Sequence, residues 1–160
     1  MIPCPHLVDS IMAVMEAAFD PEYGEAWNRR QVSDALAMPS THALILDADG
    51  QALEEASRQD QNMVPAGFVL TRQAADEEEL LLIAVVPEFR RKGLGLELIK
   101  HLFERAKARG SAKIFLEMRR GNPAVHLYQK VGFEPIGNRP NYYRLSSGQR
   151  VDAITFGRSL

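Results

Sequence analysis

Three consecutive cations, Arg90, Arg91 and Lys92, stand directly before Gly93-Leu94-Gly95 in the stretch LLLIAVVPEFRRKGLGLELIKHLF. The residues before them are apolar, and those after them repeat with a helical period, so the basic turn lies where a strand empties into a helix N-terminus. Such a junction bares several backbone N–H groups in one concave place, beside the positive end of the helix dipole. The glycines remove side chains that would hold an anion off the backbone. The chemistry that suits this arrangement is capture of a phosphate or diphosphate. Two common phosphate loops do not fit it. A Walker loop needs Gly-Lys-Ser/Thr at the helix entrance, but Gly95 is followed by Leu96 and Glu97. A dinucleotide fingerprint needs a third small residue where Leu98 stands. What remains is Arg90-x-x-Gly93-x-Gly95 after an apolar strand that ends near Val85, with an ordinary charged turn as the bland alternative.

The elements that must position this turn follow from periodicity. Leu80 to Val86 is apolar without alternation, as expected for a central strand covered on both faces, and Pro87 closes it. After Gly95, Leu98, Ile99, Leu102, Phe103 and Ala106 trace one helical face and charged residues the other, with Gly110 placed to cap the end. Upstream, helices are expected over Leu7 to Phe19 and Ala26 to Met38, linked by Asp20 to Glu25. Strands are expected over Ala43 to Leu46 and Val64 to Thr71, with an exposed, mobile connection around Gly50 to Asn62. Downstream come a strand over Lys113 to Met118 and a short helix from Pro123 to Val131, with Asn122 as N-cap. Two late strands, Phe133 to Ile136 and Asp152 to Phe156, are separated by a polar turn at Ser146, Ser147 and Gly148. The order predicts one α/β domain over residues 1–160, built on a mixed sheet.

Composition bounds the function. The chain has 160 residues, 46% of them hydrophobic and 25% charged, enough for one buried core without a disulfide or structural metal. Nineteen basic residues against twenty-one acidic ones give a net charge of −2, so general attraction to nucleic acid is not expected. No apolar run approaches the roughly 20 residues that span a bilayer, and Pro3, Pro5 and Asp9 interrupt any leader-like start, so the expected compartment is the cytoplasm. Cys4 is the single cysteine, and His6, His42, His101 and His126 lack the mutual spacing of a metal site.

Arg90-x-x-Gly93-x-Gly95 resembles the acetyl-CoA-binding motif of the GNAT superfamily of N-acetyltransferases. A second stretch, LEMRRGNPAVHLYQKVGF from Leu116 to Phe133, resembles the next strand and helix of that family, through Leu127-Tyr128 and Gly132-Phe133. AFDPEYGEAW and RPNYYRLSSGQRVDAITF are similar to flanks of the ribosomal-protein-alanine N-acetyltransferases within it. The resemblance implies a GNAT-like α/β fold with a mixed, mostly antiparallel sheet flanked by helices. It also implies acetyl-CoA as cosubstrate, with a protein or peptide N-terminus, such as that of a ribosomal protein, as acceptor in a ternary complex.

Carried over residue by residue, the resemblance has the strand around Ile83, Ala84 and Val85 hold the pantetheine and thioester. Arg90, Arg91, Lys92, Gly93, Leu94 and Gly95 would surround the diphosphate, and Asn122 would touch the pantetheine arm. Glu117 matches the general base and Tyr128 the general acid that protonates the leaving thiolate. An α-amine costs about 1 kcal/mol to deprotonate at pH 7 and a lysine about 4.6 kcal/mol, so a carboxylate serves the first more readily. Each residue has a plainer alternative. Glu117 sits where it could pair with Lys113 or Arg119, Tyr128 could be a core tyrosine, and Asn122 could be only a cap. Glu79 is a rival base or a solvated member of an acidic run, while Trp27, Tyr142 and Tyr143 are candidates for a peptide groove or for core packing. Two rival functions remain: acetylation of a small amine or a lysine side chain, and a module that binds acyl-CoA without turnover.

Overall fold

In the computed structural model, residues 5–19, 26–53 and 64–160 are described. Cys4, the Asp20 to Glu25 link and residues 54–62 of the expected mobile connection lie outside them. The elements run α1 (Pro5–Ala18), α2 (Arg29–Leu36), β1 (Thr41–Asp47), β2 (Pro65–Ala74) and β3 (Glu77–Val85). A 3-10 turn over Pro87–Phe89 leads to α3 (Leu94–Ala108), β4 (Lys113–Arg119), α4 (Val125–Lys130), β5 (Glu134–Arg144) and β6 (Arg150–Ser159).

The strands form one six-stranded sheet in the order β1-β2-β3-β4-β6-β5. Among the described strands only β3 and β4 pair in parallel, which is the mixed, mostly antiparallel sheet expected. Apolar residues of α1 and α2, among them Ile11, Met15 and Val32, pack on one face with Phe68, Leu70 and Leu82. On the other face, Leu94, Leu98, Ile99, Leu102 and Ala106 of α3 are all buried with Ile114, Leu116 and Phe156. At about 1.5–3 kcal/mol for each fully buried large side chain, this face anchors α3 firmly. Gly67 permits the close approach: a Cβ there would meet Leu98 Cδ1 at 3.0 Å and the Ala84 carbonyl oxygen at 3.1 Å.

The helix ends follow local chemistry. Asn28 and Gln31 form a reciprocal capping box, so α2 begins at Arg29 and Trp27 precedes it, later than the expected start at Ala26. At the far end of α3, Ser111 N–H reaches Ala106 O and Gly110 N–H reaches Lys107 O, and Gly110 takes φ +89°. That is a Schellman ending with the expected glycine.

Two strands depart from expectation in ways that shape the site. β3 starts at Glu77 inside the acidic run, and burial alternates along it, with Glu78, Leu80, Leu82 and Ala84 buried and the intervening residues partly open. Its residues nevertheless divide between the two helix-packed clusters, so both faces are covered, as the unbroken apolar run suggested. The register with β2 passes from Leu70 opposite Leu82 to Thr71 opposite Leu80, so Leu81 is an extra residue. This bulge turns Leu80, Ile83 and Val85 toward the α3 side and Leu81, Leu82 and Ala84 toward the α1 side. β5, expected to end at Ile136, runs on to Arg144 as an edge strand. Pro140 cannot donate to a ladder, and the pairing skips from Arg139 opposite Ala153 to Tyr143 opposite Val151. Asp152 bridges the gap by accepting the Asn141 N–H at 2.9 Å.

Candidate active site

Parallel pairing between β3 and β4 stops early. Glu77, Glu78 and Glu79 pair with Lys113, Ile114 and Phe115, and beyond them the two strands part. Each keeps its other neighbour, β3 on β2 and β4 on β6. The edges of Leu80–Val85 and Leu116–Arg119 therefore face each other without a partner strand, across a cleft of about 810 Å³. Peptide-like amides entering such a gap can bond to a strand edge as another strand would.

The mouth of the cleft is the basic turn. The first backbone bond of α3 runs from Glu97 N–H to Gly93 O, so the N–H groups of Leu94, Gly95 and Leu96 lie ahead of any intrahelical acceptor. Gly93, the N-cap, has φ +81° and no side-chain cap, and Arg91 is held at φ +67°. A non-glycine residue there costs about 1–2 kcal/mol, strain that a functional turn can retain. Arg90, Arg91, Gly93, Leu94 and Gly95 all line the cleft, whereas Lys92 does not and lies 5.5 Å from the centre of the Phe89 ring. Arg90 is also structural. Its Nε donates to Val85 O at 3.1 Å and its Nη2 to Ala18 O at 2.6 Å, tying the turn to α1.

Glu117 and Tyr128 both line this cleft, from β4 and α4. The Glu117 carboxylate is met from across the sheet rather than by Lys113 of its own strand. Its Oε2 forms an ion pair with Arg139 Nε at 3.2 Å and, at the long limit of 3.5 Å, accepts from the Thr155 hydroxyl. Tyr128 is buried, and its ring meets Phe133 edge-on at 5.7 Å. Asn122 lines the cleft as well, and its Oδ1 accepts the Ala124 N–H at 2.9 Å. It therefore caps the turn entering α4, although the helix proper begins at Val125 because the first turn is wound more tightly.

The remaining expected site residues separate. Ile83, Ala84 and Val85 form one wall of the cleft. Trp27 is partly buried and packs against the α1–α2 cluster, away from the cleft lining. Glu79 lies outside the lining too and pairs with Arg72 at 3.4 Å. Tyr142 is half exposed on the β5 bulge, edge-on to Tyr143 at 5.3 Å and 5.1 Å from the Arg139 guanidinium. Sequence reasoning missed Arg139 and Thr155, both brought to Glu117 by cross-strand register. The available signal was Pro140 after Arg139, which marks a bulge once that segment is read as a strand. Among the described residues no group of three or more His, Cys, Asp or Glu side chains is placed to hold a metal ion, and no helix is long and apolar enough to cross a membrane.

Residues 12–133 match the model of the Acetyltransferase (GNAT) family. This chain is a member of the GNAT family. Its similarity to the ribosomal protein bS18-alanine N-acetyltransferase of Escherichia coli (strain K12) is 42% identity over 95 residues. That match spans 59% of this chain and 64% of the relative's length, just under two thirds. The Haemophilus ducreyi protein of the same description is 31% identical over 142 residues, covering 88% of this chain and 96% of that one. The crystal structure of the Escherichia coli ribosomal-protein-S18-alanine N-acetyltransferase superposes with a TM-score of 0.78 at 26% identity, over 99% of this chain and 91% of that one. The expected GNAT-like α/β fold is thus the fold this GNAT chain adopts.

Proposed function

We propose that this protein transfers the acetyl group of acetyl-CoA to the α-amine of a protein N-terminus, with the N-terminal alanine of ribosomal protein bS18 as the first acceptor to test. The carrying observation is the gap between β3 and β4, which has Glu117 and Tyr128 among its lining residues and the basic turn at its mouth. The named activity of the relatives supports the choice of acceptor. We take residues 1–160 as a single N-acetyltransferase domain, since one sheet serves every described strand.

The cleft fits the donor in kind. The amides ahead of α3 and Arg91 would hold the diphosphate, and the free edge of Leu80–Val85 would hold the pantetheine amides and thioester. Arg90 contributes by fixing the turn, and Asn122 by holding the entry to α4. Glu117 would take the proton of the incoming ammonium, directly or through a water, freeing the nitrogen lone pair to attack the thioester carbonyl. As the C–S bond breaks, the Tyr128 hydroxyl would protonate the departing sulfur, and the second proton shed by the newly bonded nitrogen would restore that hydroxyl, while Glu117 returns the first to solvent. No acyl-enzyme is required.

The test is incubation with acetyl-CoA and a synthetic peptide carrying the bS18 N-terminal sequence, read by intact mass and by release of free CoA. A peptide heavier by one acetyl group, located on the first residue by fragmentation, is expected. CoA binding without acetylation of this peptide would contradict the reading.

A further inference from the structure

We infer that Arg139 is a specificity-determining residue, whose guanidinium binds the first carbonyl of the acceptor and thereby selects N-terminal amines over side-chain and alkyl amines. This rests on the acetyltransferase reading and on Glu117 as its base. Arg139 sits on β5 with 61% of its side chain exposed, while 25% of the Glu117 side chain is exposed. Its Nε forms an ion pair with Glu117 Oε2 at 3.2 Å, and the Arg139 side chain makes no hydrogen bond among the described residues. Its terminal nitrogens are therefore available as donors. Stacking near Tyr142, 5.1 Å from ring centre to Cζ, holds the planar group in place.

The carboxylate shows the complementary economy. Oε2 meets both protein partners, Arg139 as an ion pair and the Thr155 hydroxyl as a donor, and Oε1 is left without a partner among the described residues. A free acceptor on a cleft-lining residue thus stands beside free donors on Arg139, which lies outside the lining and reaches the site through its ion pair with Glu117. An N-terminal residue presents the mirror pattern. Its amine is a donor, and its own carbonyl oxygen, across N–Cα–C=O, is an acceptor about 3 Å away. A lysine amine at the same place is separated from its nearest carbonyl by the whole side chain, and an alkylamine has none. The guanidinium then gains no partner, and discrimination follows from a hydrogen bond that only one acceptor class can complete.

The bulge that delivers Arg139 is itself held. Asp152 accepts from Asn141 N–H at 2.9 Å and from Asn138 Nδ2 at 3.4 Å, and it faces Arg120 at 3.7 Å. These bonds bracket Arg139 on β5, from Asn138 on one side and Asn141 on the other, so it keeps a fixed place relative to Glu117.

The experiment compares the alanine peptide with an isostere whose first amide is replaced by a trans alkene, which keeps the amine and the shape but lacks the carbonyl. Both are assayed with the unaltered protein, Arg139→Ala and Arg139→Lys, and acetyl-CoA affinity is measured in parallel to verify that the donor site is intact. The unaltered protein is expected to prefer the amide peptide by about 10- to 100-fold in kcat/KM. Arg139→Ala should lose most of that preference, with rates on the two acceptors within about 2-fold, and Arg139→Lys should restore part of it. A preference unchanged in Arg139→Ala, whether or not both rates fall, would overturn the inference, since Arg139 would then act only on Glu117 or on the fold. If the unaltered protein turned over neither acceptor, the acetyltransferase reading would fail first and this inference with it.

Discussion

Glu78 and Glu117 lie on neighbouring parallel strands and each faces an arginine, yet one pair closes the fold and the other opens onto the cleft. Glu78 is fully buried at the end where β3 and β4 still pair. It accepts two bonds from Arg109, at 3.1 and 2.6 Å, one from Thr71 at 2.9 Å and one from Ser111 at 3.0 Å. Every lone pair has a use, as a buried charge requires. Glu117 stands where the strands have parted, with one oxygen engaged and partial exposure to solvent. Saturation makes a carboxylate structural, and an unfilled oxygen beside a cleft leaves it able to take a proton.

Breaking the open pair should cost activity and little else. Glu117→Gln is expected to lower kcat by about 100- to 10,000-fold, with acetyl-CoA affinity within about 2-fold and unfolding free energy within about 0.5 kcal/mol. Breaking the closed pair should do the reverse. Glu78→Ala strands the Arg109 charge and should lower stability by about 3–5 kcal/mol in urea unfolding, while residual folded protein keeps its kcat. A catalytic loss in Glu78→Ala without destabilisation would erase the distinction. Tyr128→Phe, measured by the same assay, should lower kcat by about 10- to 100-fold and leave acceptor KM nearly unchanged. Gly93→Val should weaken acetyl-CoA binding by about 10-fold in calorimetry. Gly93 is at φ +81° and a Cβ added there would meet nothing within 4 Å, so the penalty is backbone strain and obstruction of the amides rather than a clash inside the protein.

The smallest effect sharpens the closed side by pH. Burial tends to raise the Glu78 carboxyl, but the bonds from Arg109, Thr71 and Ser111 and the Arg109 charge outweigh it and hold it below 4.5. His42 is held below 6.5 by burial first and the Arg109 charge second, against the opposing pull of Glu78 and Gln73. Its Nε2 is buried without a partner among the described residues. Both groups have depressed folded-state values, so their stabilisation is complete above the unfolded values and is lost as pH falls through the folded ones. Melting temperature should therefore decline in acid in two stages, beginning near pH 6.5 and again below pH 4.5. His42→Gln should remove the first stage and keep the second.

Much of the donor side was legible in the residues because it is local. The basic turn, both glycines, the amphipathic helix and its Gly110 ending are contiguous, and each follows from short-range rules. Glu117, Tyr128 and Asn122 reached the site through the family resemblance, and the fold adds the register that makes them share one cleft. The acceptor side was less legible because it is built by pairing across sequence distance. Arg139 meets Glu117 only through β6, which separates their strands, and the long β5 is disguised by Pro140 and the bulge that Asp152 sustains. Glu78 was hidden in the acidic run Asp76 to Glu79. Its partners come from β2 and from the end of α3, and nothing in the unbroken run of glutamates and apolar residues from Glu77 to Val85 distinguished it as the inward-facing one.

The most direct measurement is amide hydrogen exchange with and without acetyl-CoA. Slowed exchange in residues 81–86 and 91–96, with no change around Glu78 and Arg109, is the predicted result, since only the parted strands and the basic turn would grip the donor. Unchanged exchange in both segments at saturating acetyl-CoA, or protection confined to another part of the chain, would contradict the account.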